Sequence, residues 1–250
     1  MLDHTPKNTP SAAAETGTVR IVWLGQGGFL LETEKFRLLI DPYISDCIRK
    51  AEGFARLHPF PVALAKLKPD LLLVTHDHMD HLDPEGVPRI REIYPACRFA
   101  GPERSFAHFL RLGIPGNMLS LITVGEEYRF GPFSVTPFPA LHSDPSSCGY
   151  LIAAAGKKIV LTGDTRYDSR PPLPMLRHAD LLLICINGKL NNMNADEALR
   201  YTRELSPAAA LPMHFGLFAE NTADPTPFIT GCRAMDIRSF EPSPGIPFSL

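Results

Sequence analysis

The feature that most constrains this chain is an abrupt change of chemistry. The apolar run Leu71-Leu72-Leu73-Val74-Thr75 leads directly into His76-Asp77-His78-Met79-Asp80-His81. A short continuous apolar run reads as a buried strand. Just past it, His76 and His78 project to one side, because side chains two apart share a face of extended backbone, and a following turn brings Asp80 and His81 round. Imidazole and carboxylate suit Zn2+, Mn2+ or Fe, and ions that do chemistry need positions open to water. Three His and two Asp within six residues therefore point to a metal site rather than a solvated loop.

One short motif cannot complete two metal shells, so other segments must contribute. His142 follows a strand-like run at residues 133–141, Asp164 follows one at 158–162, and His214 follows one at 208–213. Each stands just beyond the carboxyl end of an apolar run, where open α/β sheets present their binding groups.

Further strands are expected at residues 19–24, 29–33, 36–41, 70–75, 98–100, 149–155 and 181–186, the pair around Gly156-Lys157 forming a hairpin. Helices are expected at 84–94, 103–112 and 195–205, the last opened by Asn194, with mixed helix and loop at 44–68. Gly25-Gln26-Gly27-Gly28 lacks the spacing of a phosphate-binding loop and precedes a strand, so it reads as a tight turn. The order of elements suggests an α/β protein of two similar layered halves. Residues 1–17 show no apolar periodicity and read as a flexible arm, leaving residues 18–250 as one domain.

Composition narrows the partners. A formal net charge of −2 gives no basic surplus, so neither nucleic acid nor a membrane surface is favoured. No apolar run reaches the roughly 18 residues of a membrane span, and no signal-peptide core stands at the N-terminus. Five cysteines are scattered singly, which fits a reducing cytoplasm better than a disulfide framework. Cys148 reads as a small buried hydrophobe, and His58, His108 and His178 read as structural.

The string His76 to His81 matches in full the HxHxDH signature of the metallo-β-lactamase superfamily, which the chain resembles from residue 19 onward. The strings Trp23-Leu24-Gly25, Leu39-Ile40-Asp41-Pro42, Gly163-Asp164-Thr165 with Tyr167, and Pro212-Met213-His214 with Ala223-Asp224-Pro225 resemble its L-ascorbate-6-phosphate lactonase-like branch. The resemblance implies a four-layer αββα sandwich with two divalent ions, Mn2+ or Zn2+, at one edge. His76, His78 and His142 would hold one ion, Asp80, His81 and His214 the other, and Asp164 would bridge. Asp41 would support the motif loop from behind the ligands, as metal ligands generally require. Asp77 alternates away from His76 and His78, which gives it a supporting role too. Relatives of this branch form homo-oligomers, and the apolar residues of the Pro-rich C-terminal tail are candidates to join subunits.

A two-metal site generates a nucleophile from water, so no Ser or Cys is required. Asp80 is the candidate catalytic residue, accepting the released proton and returning one to the leaving group. Arg166, Tyr167, Asn187 and Lys189 follow strand ends on the same expected edge and are candidates to bind an anionic small molecule. The leading expectation is a lactonase acting on a small phosphorylated sugar acid. The alternatives are a phosphodiesterase on small phosphodiesters, a β-lactamase or thioesterase-like hydrolase, and a non-enzymatic metal-binding protein of the same fold.

Overall fold

The computed structural model describes residues 17–170 and 172–250. The arm expected over residues 1–17 lies outside the described residues except for Gly17, which is exposed.

Alternating apolar side chains build the first sheet. Its strands are β1 (Arg20–Gly25), β2 (Gly28–Glu32), β3 (Arg37–Ile40), β4 (Leu71–Leu73), β5 (Arg98–Gly101) and β6 (Leu119–Leu121), with the C-terminal β13 (Pro247–Ser249) added beside β1. β13, β1, β2 and β3 pair antiparallel, and β3 through β6 pair parallel. The second sheet runs β12 (Ala210–Met213), β11 (Leu181–Cys185), β10 (Lys157–Leu161), β9 (Cys148–Ala154), β8 (Phe133–Pro139) and β7 (Tyr128–Phe130). It likewise has an antiparallel part, β7 to β10, and a parallel part, β10 to β12.

The pleat explains why several of these strands are apolar without interruption. Ile21, Trp23, Leu71 and Leu73 face the second sheet and share one core with Val135, Tyr150, Ile159 and Leu161. Val22, Leu24 and Leu72 face the other way, onto helices α3 (Gly86–Ile93) and α4 (Glu103–Arg111) through Val87, Ile90 and Phe109. A sheet covered on both faces needs apolar residues at every position. Helices α5 (Ala195–Leu205) and α6 (Thr226–Ala234) cover the outer face of the second sheet. The layers are thus helix, sheet, sheet, helix, as the resemblance implies. Two short helices, α1 (Cys47–Glu52) and α2 (Leu64–Leu67), occupy the mixed segment.

Local chemistry sets the boundaries. Asn194 caps α5 with a capping box, its side chain accepting from the Glu197 N–H while the Glu197 carboxylate accepts from the Asn194 N–H. Ala154 pairs with Lys157, so the β9–β10 turn is Ala155-Gly156, both at positive φ, one residue earlier than the expected Gly156-Lys157. The expected strand at 70–75 shortens to β4, because the chain beyond Leu73 turns out of the sheet toward the His-rich segment. Helix α6 and strands β6, β7 and β13 had no counterpart in the sequence reading. Pro225 at the start of α6 and Gly231 within it mask a helical pattern, although proline fits a first turn. The C-terminal tail places β13 on β1, with Phe248 packed on the core and Ile246 exposed.

No helix among the described residues is long and apolar enough to cross a membrane.

Candidate metal centre

Four strand ends deliver the candidate ligands. Residues 76–81 follow β4, His142 follows β8, Asp164 follows β10 and His214 follows β12. All seven residues fall into three overlapping groups whose ligand atoms lie within 4.8 Å of one another: His76, His78 and His142; His76, His81 and Asp164; and Asp80, His81 and His214.

In the first group His78 Nδ1 lies 3.0 Å from His76 Nε2 and 3.2 Å from His142 Nε2. In the last, His214 Nε2 stands 3.3 Å from Asp80 Oδ2. Asp164 touches both sides, with Oδ2 at 3.0 Å from His214 Nε2 and 3.9 Å from His142 Nε2, and Oδ1 at 3.4 Å from His81 Nε2.

The supporting contacts fix which nitrogen faces inward. Asp41 accepts from the Thr75 N–H at 2.7 Å and from the Thr75 hydroxyl at 2.6 Å. That hydroxyl is 2.9 Å from His76 Nδ1. Having donated to Asp41, it can only accept there, so the His76 proton resides on Nδ1 and the Nε2 lone pair faces His78. Asp41 Oδ2 also lies 2.7 Å from His81 Nδ1, leaving His81 Nε2 directed at Asp164. Asp41 and His214 adopt left-handed backbone, with φ of 43° and 63°. The glycine-rich turn between β1 and β2 packs against this centre, for a Cβ on Gly27 would stand 2.6 Å from His81 Cε1.

The electrostatics divide the histidines. Burial holds His76 well below the ordinary imidazole value, with His81, His78 and His142 adding to the effect, and burial also lowers His142. Neutral imidazoles are the form that binds metal. Burial likewise opposes charge on His81 and His214, but Asp164 and its neighbouring carboxylates outweigh it, raising His81 and pushing His214 up to about 9. Burial works against charge on Asp80 and Asp164 as well. His81 and His214 overcome it and hold both carboxyls below their usual range.

These residues fit a cation. His81 Nε2 and Asp164 Oδ1 are buried without a hydrogen-bond partner, and they lie at the point where the other donors converge. Buried polar atoms left unpaired are costly, so a centre built this way is matched to a positive ion.

The other expected site residues are dispersed. Asp77 turns away from the centre, its carboxylate beside His108 Nδ1 at 2.5 Å and Arg111 at 3.8 Å, while its N–H donates to Asp144. Arg166 lines a neighbouring cavity with Leu141, Thr165 and Tyr201. The Tyr167 hydroxyl donates to Glu204, and Lys189 Nζ donates to the Glu220 carbonyl at 2.7 Å. Asn187 is buried and donates to Asn221, which does line the cavity at the metal centre.

Sequence reasoning missed four contributors. Gln26 Nε2 donates to Asp80 Oδ2 at 3.0 Å, and Asn192 Nδ2 donates to Asp164 Oδ2 at 2.7 Å. Asp144 holds the 144–147 turn through Ser146 and Ser147. Asp83 accepts from the Ile44, Ser45, Glu85 and Gly86 N–H groups. Only the last two carried a local signal, an Asp ahead of Ser-Ser and an Asp-Pro ahead of a helix.

Residues 36–215 match the family described as Beta-lactamase superfamily domain. A UPF0173 protein of Pyrococcus furiosus is 33% identical over 214 residues, spanning 84% of this chain and 89% of its own. A UPF0173 metal-dependent hydrolase of Carboxydothermus hydrogenoformans is 26% identical over 245 residues, spanning 91% and 98%. Among solved structures, Igni18, a metallo hydrolase from the archaeon Ignicoccus hospitalis, has the same fold with a TM-score of 0.75 at 21% identity, covering 93% of this chain and 98% of its own.

Proposed function

Because the chain belongs to the metallo-β-lactamase superfamily, we propose that it is a metal-dependent hydrolase of small molecules that opens lactone or ester bonds. The convergence of seven donors from four strand ends, with His81 Nε2 and Asp164 Oδ1 buried and unpaired at the centre, carries this reading. In it, His76, His78 and His142 would hold one divalent ion and Asp80, His81 and His214 a second, with Asp164 available beside both; Zn2+ and Mn2+ both suit the donors. When bound, such ions lower the pKa of coordinated water and polarise the bond to be cleaved.

The chain's own residues supply placement and proton handling. Asp41 and Thr75 orient His76 and His81, so the ligand nitrogens are fixed before any ion arrives. Asp80 is assigned the proton transfer because its carboxylate lines the cavity and lies among the candidate ligands. Asp77 is taken by His108 and Arg111, and Glu52 stands exposed at the surface. The reading treats residues 18–250 as one domain, since both sheets share a core and both supply candidate ligands. Five free, buried cysteines fit a reducing compartment.

The test is protein reconstituted with Zn2+ or Mn2+ and assayed on neutral and phosphorylated lactones, bis-p-nitrophenyl phosphate and nitrocefin. The expected outcome is lactone opening of which Asp80→Asn removes most. Ion-loaded protein that cleaves none of these substrates contradicts it.

A further inference from the structure

The cavity beside the metal centre has a volume of about 440 Å3, within the range of small-molecule sites. Candidate ligands form its floor: His78, Asp80, His142 and Asp164. Its wall has a different chemistry, built from Ile48, Phe54, Met79, Leu190 and Phe218. Phe218 and Ile48 belong to one buried cluster with Tyr43, against which Phe54 and Met79 pack. The Phe218 ring lies 5.6 Å from that of Tyr43 and 6.4 Å from that of Phe54. Apart from Leu190, the wall is therefore a face packed by its own contacts.

Leu190 stands apart from that cluster. It is 66% exposed, with φ of 53°, and Asn191 follows at 67°. Left-handed backbone at a bulky residue is uncommon and costs free energy, so it persists only where the surroundings impose it. Here the Asn192 N–H donates to the Lys189 carbonyl, the Gly188 N–H donates to the Met193 carbonyl, and the Asn192 side chain is tied to Asp164. The turn is thus pinned to the metal centre and presents an apolar side chain to the cavity.

Charge at the cavity is one-sided. Among the described residues that line it there is no Lys or Arg, while Glu52 is present and Asp77 is paired behind it with His108 and Arg111. Nearby cations are engaged elsewhere: Arg56 lies 4.7 Å from the Tyr43 ring centroid and donates to the Tyr43 and Ser45 carbonyls, and Lys189 donates to Glu220. Ions on the floor would act on the bond being cleaved, so a phosphate or carboxylate at the far end of a substrate would meet Glu52 and apolar carbon, with neutral Ser143 and Asn221 but no cationic side chain to balance its charge.

Resting on the hydrolase reading above, we infer that the cavity selects substrates whose non-reacting part is apolar and uncharged, an alkyl or aromatic group lying against Phe54, Met79 and Leu190, with buried Phe218 behind them. A phosphorylated sugar acid does not match it.

Three hydroxamates with the same metal-binding head group test this by calorimetric binding to zinc-loaded protein, independently of turnover. They are acetohydroxamate, octanohydroxamate and suberic monohydroxamate, whose chain ends in a carboxylate. Each buried methylene contributes about fourfold. Octanohydroxamate is expected to bind at least about 30-fold more tightly than acetohydroxamate, since burial of three of its extra methylenes suffices. Suberic monohydroxamate is expected to lose most of that gain, and Glu52→Gln to restore part of it. Phe54→Ala and Leu190→Ser, at a half-buried and an exposed position, should each reduce the octanohydroxamate advantage without unfolding the protein. Octanohydroxamate within threefold of acetohydroxamate, or suberic monohydroxamate binding as tightly as octanohydroxamate, overturns the inference. Should the chain-length preference appear while the loaded protein cleaves no lactone or ester, the inference stands and the hydrolase reading falls. If none of the three binds, the metal centre is absent and both fall.

Discussion

Asp41 Oδ2 lies 2.7 Å from His81 Nδ1, with both side chains sealed from solvent, and the same carboxylate holds Thr75 behind His76. One acid thus orients a candidate ligand on each side of the centre. Asp41→Asn keeps the size of the side chain and tolerates the left-handed φ of 43°, but it removes the charge and the acceptor facing His81. Partners of this kind are worth about 10- to 100-fold in metal affinity. Competition against a chromogenic chelator should show a loss of that size with circular dichroism unchanged. Equal affinity in the variant would remove Asp41 from the centre.

Gly27 tests the same ring from the opposite side. Gly27→Ala puts a Cβ 2.6 Å from His81 Cε1, well inside contact distance, so the imidazole must shift. Metal affinity should fall while most of the fold's stability remains. Gly116→Ala is the control, since a Cβ there meets nothing within 4 Å. The two variants behaving alike would contradict the packing described.

Just beyond the turn that holds Asn192 on Asp164, Asn194→Ala removes the capping box of α5. About 1 kcal/mol of stability should be lost, which for a chain of this size is a fall of roughly 2–4 °C in Tm. Metal content should not change while Asn192 keeps its bond to Asp164, and a loss of bound ion would show that the cap also positions that turn.

The cysteines give a pH prediction. Burial pushes Cys97, Cys148, Cys185 and Cys232 up to about 12 and Cys47 to about 11, from an ordinary 9.0. The folded state favours the neutral thiol, so this contribution to stability is full below pH 9 and is lost as pH rises toward 12. At pH 8 the native protein should react negligibly with a disulfide reagent, and all five thiols should react after unfolding. Rapid labelling of the native state would show that a thiol is exposed.

Much of this arrangement was legible in the sequence because it depends on local pattern. The run Leu71-Leu72-Leu73 ahead of His76, and the placement of His142, Asp164 and His214 after strands, follow from apolar runs and strand ends. Gln26 and Asn192 were not legible, because each reaches its carboxylate from a distant loop and an isolated amide carries no periodicity. The fate of Arg166, Tyr167 and Lys189 was hidden for a related reason. Chain position places a residue near a sheet edge, whereas the partner that claims its side chain, such as Glu204 or the Glu220 carbonyl, is set by packing elsewhere. Strand β13 depends on pairing with β1, from the opposite end of the sequence.

The central claim is that hydrolysis depends on divalent ions held by His76, His78, Asp80, His81, His142, Asp164 and His214. The most direct measurement is the rate of opening of a neutral alkyl lactone as Zn2+ or Mn2+ is added back to chelator-stripped protein. No turnover is expected without metal, and a rise to a plateau by about two equivalents per chain, as for a two-metal site. Stripped protein that opens the lactone as fast as loaded protein would contradict it.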